Sequence, residues 1–338
     1  MSEHAKLLHG LNLAAGGEPS KTRGWIEEHG SGEAAWEALK DTSIDLNTEI
    51  EILRTEGIEL VAKDDPAYPP LLRETHEAPE LLYIKGNAAV LSSEWLVGMV
   101  GSRKPTEYGV AAATKLASDL GAAGAIIVSG LAFGIDTASH LGALRAGRTI
   151  GVIGSGLDRT SFYPAVNWAI AEKIVAGGGA VVSEYPPGTK SFPSHFPERN
   201  RIIAGLSQGL IVVEAQEKSG ALITARLAIE ENRDVFAVPG SIFSATSKGP
   251  NSLIREGAVP VTTAIDVIQF YGRASEAPRE VTLEGEEGTV LKILSREQSI
   301  EEIRRASGLE IGPIQAILSA LELKGLVAET EPGTYAKI

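Results

Sequence analysis

The chain has no cysteine, which excludes a disulfide framework, a thiolate nucleophile and a cysteine-ligated zinc site. Its six histidines are scattered without ligand-like spacing. No stretch approaches the ~20 uninterrupted apolar residues of a spanning helix, and the start MSEHAKLLHG lacks the apolar core of an export signal. The expectation is a soluble, cytoplasmic chain with no membrane partner. There is also no Walker A lysine motif, no HExxH pair, no defensible Ser-His-Asp order and no carboxylate cluster suited to magnesium. No catalytic residue, metal or cofactor is therefore assigned.

Positive charge is in short supply as well, with 31 Lys and Arg against 44 Asp and Glu, a net charge of −13. Affinity for a polyanion comes largely from cations at phosphates, so the sum alone argues against a nucleic-acid partner. The distribution reverses this. Residues 1–97 hold 8 basic and 18 acidic side chains, residues 98–265 hold 15 and 13, and residues 266–338 hold 8 and 13. Only the middle of the chain is not acidic.

The 338 residues, 43 % of them apolar and 22 % charged, suffice for two or three domains with real cores. Residues 1–56 carry apolar groups at helical spacing, broken at Gly16-Gly17 and at Gly30-Ser31-Gly32, and read as a small all-α domain. From Gly57 short strands appear. From Leu96 a unit repeats, in which an apolar strand runs into a Gly-containing turn and then an amphipathic helix; the strands are WLVGMVG, AIIVSG, RTIGVIG, GAVVSEY, GLIVVEA and DVFAVPG. Strands of this kind, joined by helices, predict a doubly wound parallel sheet over 57–270, an extended Rossmann-like α/β fold whose ligands bind at the carboxyl ends of the strands. Residues 271–285 read as a linker. In residues 286–338, three helices and a ribbon turning at Pro332-Gly333 predict a winged helix, with a capping box at Ser299 and Glu302.

The strand ends carry the chemistry. The first runs into GSRKPTEYG, where Gly101 allows close approach, Ser102 offers a hydroxyl, and Arg103 and Lys104 add positive charge, together an anion cradle. In the second, SGLAFGIDTASH, Gly130 and Gly134 bracket a turn, and Asp136 either caps the next helix or orders the loop. The third offers Gly154-x-Gly156, but Arg159 stands where a dinucleotide fingerprint has its last glycine, which weakens a nicotinamide reading. The run KSFPSHFPERNR, 190–201, interleaves Phe192, His195 and Phe196 with Lys190, Arg199 and Arg201, and its prolines predict an extended loop. Aromatic faces for unpaired bases beside guanidinium groups suit a single-strand binder. Ser219, Gly220 and Thr224 form a further turn-to-helix junction able to contact phosphate. Asp136, Asp158, Glu184 and Glu214 form an acidic set around the strand ends, explained as well by caps and ion pairs as by catalysis.

The blocks VGSRKPTEYG, VSGLAFGIDTASHLGAL, FPERNRIIAGLSQGLIVVEAQEKSGALITARLA and VFAVPGSIFSATSKGPNSLIREGA together resemble the DprA (Smf) family of DNA-processing proteins. The resemblance implies a non-catalytic protein of natural transformation that binds and protects incoming single-stranded DNA, helps to load the recombinase RecA, and acts as a homodimer. It assigns nucleotide contact to Arg103, Phe196, Arg199, Asn200 and Arg201, with the glycine turns at Gly101, Gly130 and Gly154 lining one pocket, and a dimer contact to Asn251 and Ile254. Family members often have a Gly-Ile-Gly turn near the N-terminus, where this chain has Ala14-Ala15-Gly16-Gly17, so residues 1–56 are not expected to bind DNA. The recognition helix IGPIQAILSALELKG carries few base-reading side chains, which favours protein contact for the winged helix. The competing class is a nucleotide-processing enzyme of phosphoribohydrolase type, for which the expected PGGxGTxxE run is absent. A ligand-sensing winged-helix regulator is a third, disfavoured by its acidic wing.

Overall fold

A computed structural model of the chain describes residues 2–39, 43–273, 285–294, 297–323 and 326–337. It divides into two compact units, 1–275 and 276–338. The linker expected at 271–285 lies mostly outside the described residues.

The first unit begins with four helices, α1 (Glu3–Ala14), α2 (Pro19–His29), α3 (Gly32–Leu39) and α4 (Leu46–Thr55). Then follow β1 (Ile58–Ala62), α5 (Pro70–Arg73), β2 (Leu81–Gly86), β3 (Leu96–Val100), α6 (Glu107–Ala122), β4 (Ile126–Ser129), α7 (Ile135–Ala143) and β5 (Thr149–Ile153). The remainder is α8 (Trp168–Ala176), β6 (Ala180–Ser183), α9 (His195–Leu206), β7 (Gly209–Val212), α10 (Gly220–Glu230), β8 (Asp234–Ala237), α11 (Lys248–Arg255), β9 (Val259–Pro260) and α12 (Ala264–Phe270). The nine strands form one sheet in the order β1-β2-β6-β5-β4-β3-β7-β8-β9. Those from β6 to β9 are parallel, and the β2–β6 and β1–β2 pairs are antiparallel. This is the doubly wound order, extended at one edge by a hairpin.

Alternation along each strand explains the layers. In β3, Leu96 and Val100 face a core completed by Ile202, Ile203 and Leu206 of α9 and Ala221, Ala225 and Ala228 of α10. Val97 and Met99 face the opposite core, closed by Leu116 and Leu120 of α6 and Ile135 of α7. The N-terminal helices are part of this architecture. Leu8 and Leu11 of α1 and Ile50 and Leu53 of α4 pack with Leu60, Leu81 and Tyr83 of the hairpin in one cluster. At its centre the buried Tyr83 hydroxyl lies 2.9 Å from His9 Nδ1 and accepts from Asn12 Nδ2 at 3.2 Å.

The second unit comprises α13 (Gly285–Ile293), β10 (Gln298–Ser299), α14 (Ile300–Ser307), α15 (Ile311–Leu323), β11 (Val327–Glu331) and β12 (Thr334–Lys337), with sheet order β10-β12-β11. Its core is Val290, Leu294, Ile303, Ile314, Leu318 and Val327. The expected Ser299–Glu302 capping box is formed, and Gly308, in the left-handed region at φ 72°, ends α14. Lys324 and Gly325, the last residues of the run read as the recognition helix, lie outside the described residues.

Candidate nucleic-acid interface

The chain reverses its direction of strand addition at β3, whose neighbours are β4 and β7, and the crevice of a doubly wound sheet lies at that point. There the loops following β3, β4 and β7 are tied together. Ser102 N–H donates to Glu214 O at 2.7 Å, and Ile135 N–H donates to Ser102 O at 3.1 Å. Two glycines permit this approach. A Cβ on Gly101 would lie 2.6 Å from Ile135 Cγ1, and one on Gly134, which is at φ +77°, would overlap Ser102 O. Ser102 Oγ accepts from Lys104 N–H at 3.1 Å, fixing the turn that presents Arg103 and Lys104.

Beneath these loops lies Arg199, only 3 % exposed, with its Nη1–H donating to Val152 O. Burial pulls its guanidinium down to about 10, so it stays charged at neutral pH. Asp136 sits beside it and accepts from the N–H groups of Gly130 at 3.1 Å and Ala132 at 3.4 Å. Its carboxyl is pushed up by burial, against the pull of Arg199. Asp136 therefore orders the loop before α7, the second of the two roles open to it. Gly130 has no room for a side chain, because a Cβ would overlap Arg199 Nη1. At Gly154 a Cβ would come within 3.0 Å of His195 O.

Above this floor opens a groove of about 680 Å³. Arg103, Lys104 and Lys218 line it as exposed cations with no ion pair among the described residues. The Arg103 guanidinium lies 4.5 Å from the Phe196 ring centroid, and Tyr163 packs against the same ring at 5.8 Å. Asn200 forms another part of the wall. Ser219 Oγ accepts from Ala221 N–H at 3.3 Å as the N-cap of α10, and Thr224 donates to Gly220 O at 3.2 Å, so the start of that helix faces the groove. Gly130 and Gly154 line a smaller cavity under Phe196, with Arg103 and Arg199.

Two expectations change. The run 190–201 is not an extended loop, since α9 starts at His195 with Pro197 in its first turn, where a missing N–H costs no helical bond. Arg201 does not line the groove. Two residues beyond Arg199 on the same helix, it is turned by about 200° and pairs with Glu184, while its Nη1–H donates to Glu77 O. The acidic set is likewise dispersed: Glu214 accepts from Thr106 Oγ1 at 2.6 Å and Thr246 Oγ1 at 2.9 Å, and Asp158 from Gly188 N–H at 2.7 Å. Among the candidate dimer residues, Asn251 brackets Gly240, accepting from its N–H at 3.3 Å and donating to its O at 3.0 Å, while Ile254 is half-buried against the core. Lys218 and Tyr163 were not singled out from the sequence. The available signal for Lys218 was its place directly before the Ser219 cap.

Residues 59–272 match the DNA recombination-mediator protein A family, and residues 274–333 match the DprA winged helix domain. The chain belongs to the DprA family. It is similar to the DNA processing protein DprA of Bacillus subtilis, 44 % identical over 217 residues that cover 64 % of this chain and 72 % of the relative. Protein Smf of Escherichia coli is 34 % identical over 82 % of this chain and 77 % of its own length. Among solved structures, DprA of Streptococcus pneumoniae superposes with a TM-score of 0.67 at 37 % identity, covering 80 % of this chain and 98 % of that one. DprA of Helicobacter pylori, whose structure is described as showing its single-stranded DNA binding mode, superposes at 0.57 with 29 % identity, covering 63 % and 95 %. As a DprA family member the chain has a DNA-processing, recombination-mediator role. Among the described residues no helix is long and apolar enough to cross a membrane.

Proposed function

We propose that this DprA family member holds single-stranded DNA in the groove at the ends of β3, β4 and β7. The observation that carries the reading is Arg103, an exposed cation stacked on Phe196 beside Lys104 and Lys218. That pairing of a phosphate-seeking guanidinium with an aromatic face grips a backbone and a base without reading sequence. The family it shares with the Helicobacter pylori single-strand binder supports the same reading. The role is binding rather than catalysis: Asp136, the carboxylate that lines the groove, lies beside the buried Arg199 and accepts through Oδ2 from the N–H groups of Gly130 and Ala132.

The bound strand is protected and passed to RecA during natural transformation, in the cytoplasm, by a homodimer. A dimer face is supported by Ile242 and Phe243, 79 % and 93 % exposed, on the loop that Asn251 fastens through Gly240. Adjacent apolar groups this bare on a folded surface mark an interaction site. The winged helix serves protein contact, because the exposed positions of α15 from Ile311 to Ser319 carry no charge. The test is equilibrium binding to oligo-dT. Arg103→Ala is expected to weaken affinity about tenfold or more, as is Arg199→Ala; binding equal to the parent's in both would refute the groove. RecA should assemble faster on a strand that carries the parent chain than on one that carries Arg103→Ala at the same concentration.

A further inference from the structure

Pro193 forms one wall of the groove and also one wall of a second cleft, of about 580 Å³, between the Gly16–Ser20 turn and the segment from Thr189 to Glu198. The turn is seated firmly. Gly17, at φ +76°, lies so close that a Cβ would stand 2.6 Å from Thr189 Oγ1. The cleft differs from the groove in kind, because no Lys or Arg lines it. Its charged side chains are acceptors, set among the hydroxyls of Ser20, Thr189 and Ser194. Glu18 and Glu198 are exposed at its wall, and among the described residues Glu198 Oε2 takes only the Tyr185 O–H at 2.8 Å. His195 is 8 % exposed, stacked on Tyr185 at 4.2 Å. Its Nδ1–H donates to Gly154 O at 3.2 Å, which leaves a lone pair on Nε2, and that atom has no partner among the described residues. Phe192, 58 % exposed, stands edge-on to the same imidazole.

Two carboxylates repel a phosphate but accept hydrogen bonds from N–H groups on the edge of a base. An exposed ring offers that base a face. We propose that the single strand continues from the groove over Pro193 into this cleft and lodges a base there, stacked on Phe192, with an N–H-rich edge toward Glu18, Glu198 and His195 Nε2. The preferred base is guanine, which presents N1–H and an amino group side by side, and the poorest is thymine, with a single N–H. Residues 1–56 thereby enter strand binding through the Gly16-Gly17 turn. The inference rests on the groove reading above and adds base preference to it.

The experiment compares the full chain's affinity for two strands of about twenty nucleotides, oligo-dT and oligo-dT with isolated guanines spaced at least three positions apart. The parent is expected to bind the guanine strand about fivefold tighter or more. Glu18→Gln with Glu198→Gln removes two negative charges and so raises affinity for any strand; the ratio between the strands is therefore the readout, and it should fall to about one. Phe192→Ala should lower the ratio as well. A parent that binds both strands alike, or a ratio unmoved by the double substitution, overturns the proposal while Arg103→Ala still releasing both strands keeps the groove intact. If no strand binds at all, the groove and the cleft fall together.

Discussion

Arg199 reaches the groove from inside the protein, and its neighbour Gly130 shows how tightly it is held. The family resemblance marked Arg199 as a nucleotide contact, but nothing in the spacing of FPERNR shows which arginine faces inward. A helix turns by about 100° per residue, so the fate of Arg199 and Arg201 depended on the phase of α9, and that phase was hidden by prolines that read as loop. Phe196 and Arg103 were legible because a strand end followed by Gly-Ser-Arg-Lys, and an aromatic among cations, have few packing explanations. Gly130→Ala is expected to push the Arg199 guanidinium aside, lowering stability by about 2 kcal/mol and strand affinity by at least about tenfold. Thermal melts and oligo-dT titrations check both. Phe196→Ala should cost about 1–3 kcal/mol of binding without a comparable loss of stability, since it removes one stacked base.

Among the elements, the strands from β3 to β8 were readable from their apolar runs and Gly-ended turns, and the cap of α14 from Ser299 and Glu302. The sheet order was not. That β2 pairs with β6 across nearly a hundred residues follows from packing that no local pattern records. The docking of α1 depends on the same long-range contacts, through His9 against Tyr83. Burial holds the His9 imidazole down at about 4, below its ordinary value near 6.5. The unfolded chain then binds a proton that the folded chain refuses, so this group's contribution to stability is complete above about pH 6.5 and is lost as pH falls toward 4. Between those values the melting temperature of the parent is expected to fall more steeply than that of His9→Gln, and parallel curves would contradict the assignment.

For the whole molecule, a net charge of −13 does not argue against the proposed strand, because the cations are placed rather than plentiful. Acidic flanks disfavour phosphates elsewhere on the surface, and the groove rim carries Arg103, Lys104 and Lys218. The division at residue 56 read from the sequence also takes on a consequence, since α1 and α4 cover Leu60, Leu81 and Tyr83. A chain lacking residues 1–56 is expected to melt well below the parent, because it leaves that apolar cluster open to water. The salt dependence of oligo-dT affinity, for the parent and for Arg103→Ala, tests the central claim most directly. The account predicts that log K falls with log salt by about 0.7 for each phosphate engaged, and that Arg103→Ala lowers both affinity and slope by about one phosphate's share. An affinity and slope unchanged by the substitution would place the strand elsewhere on the protein.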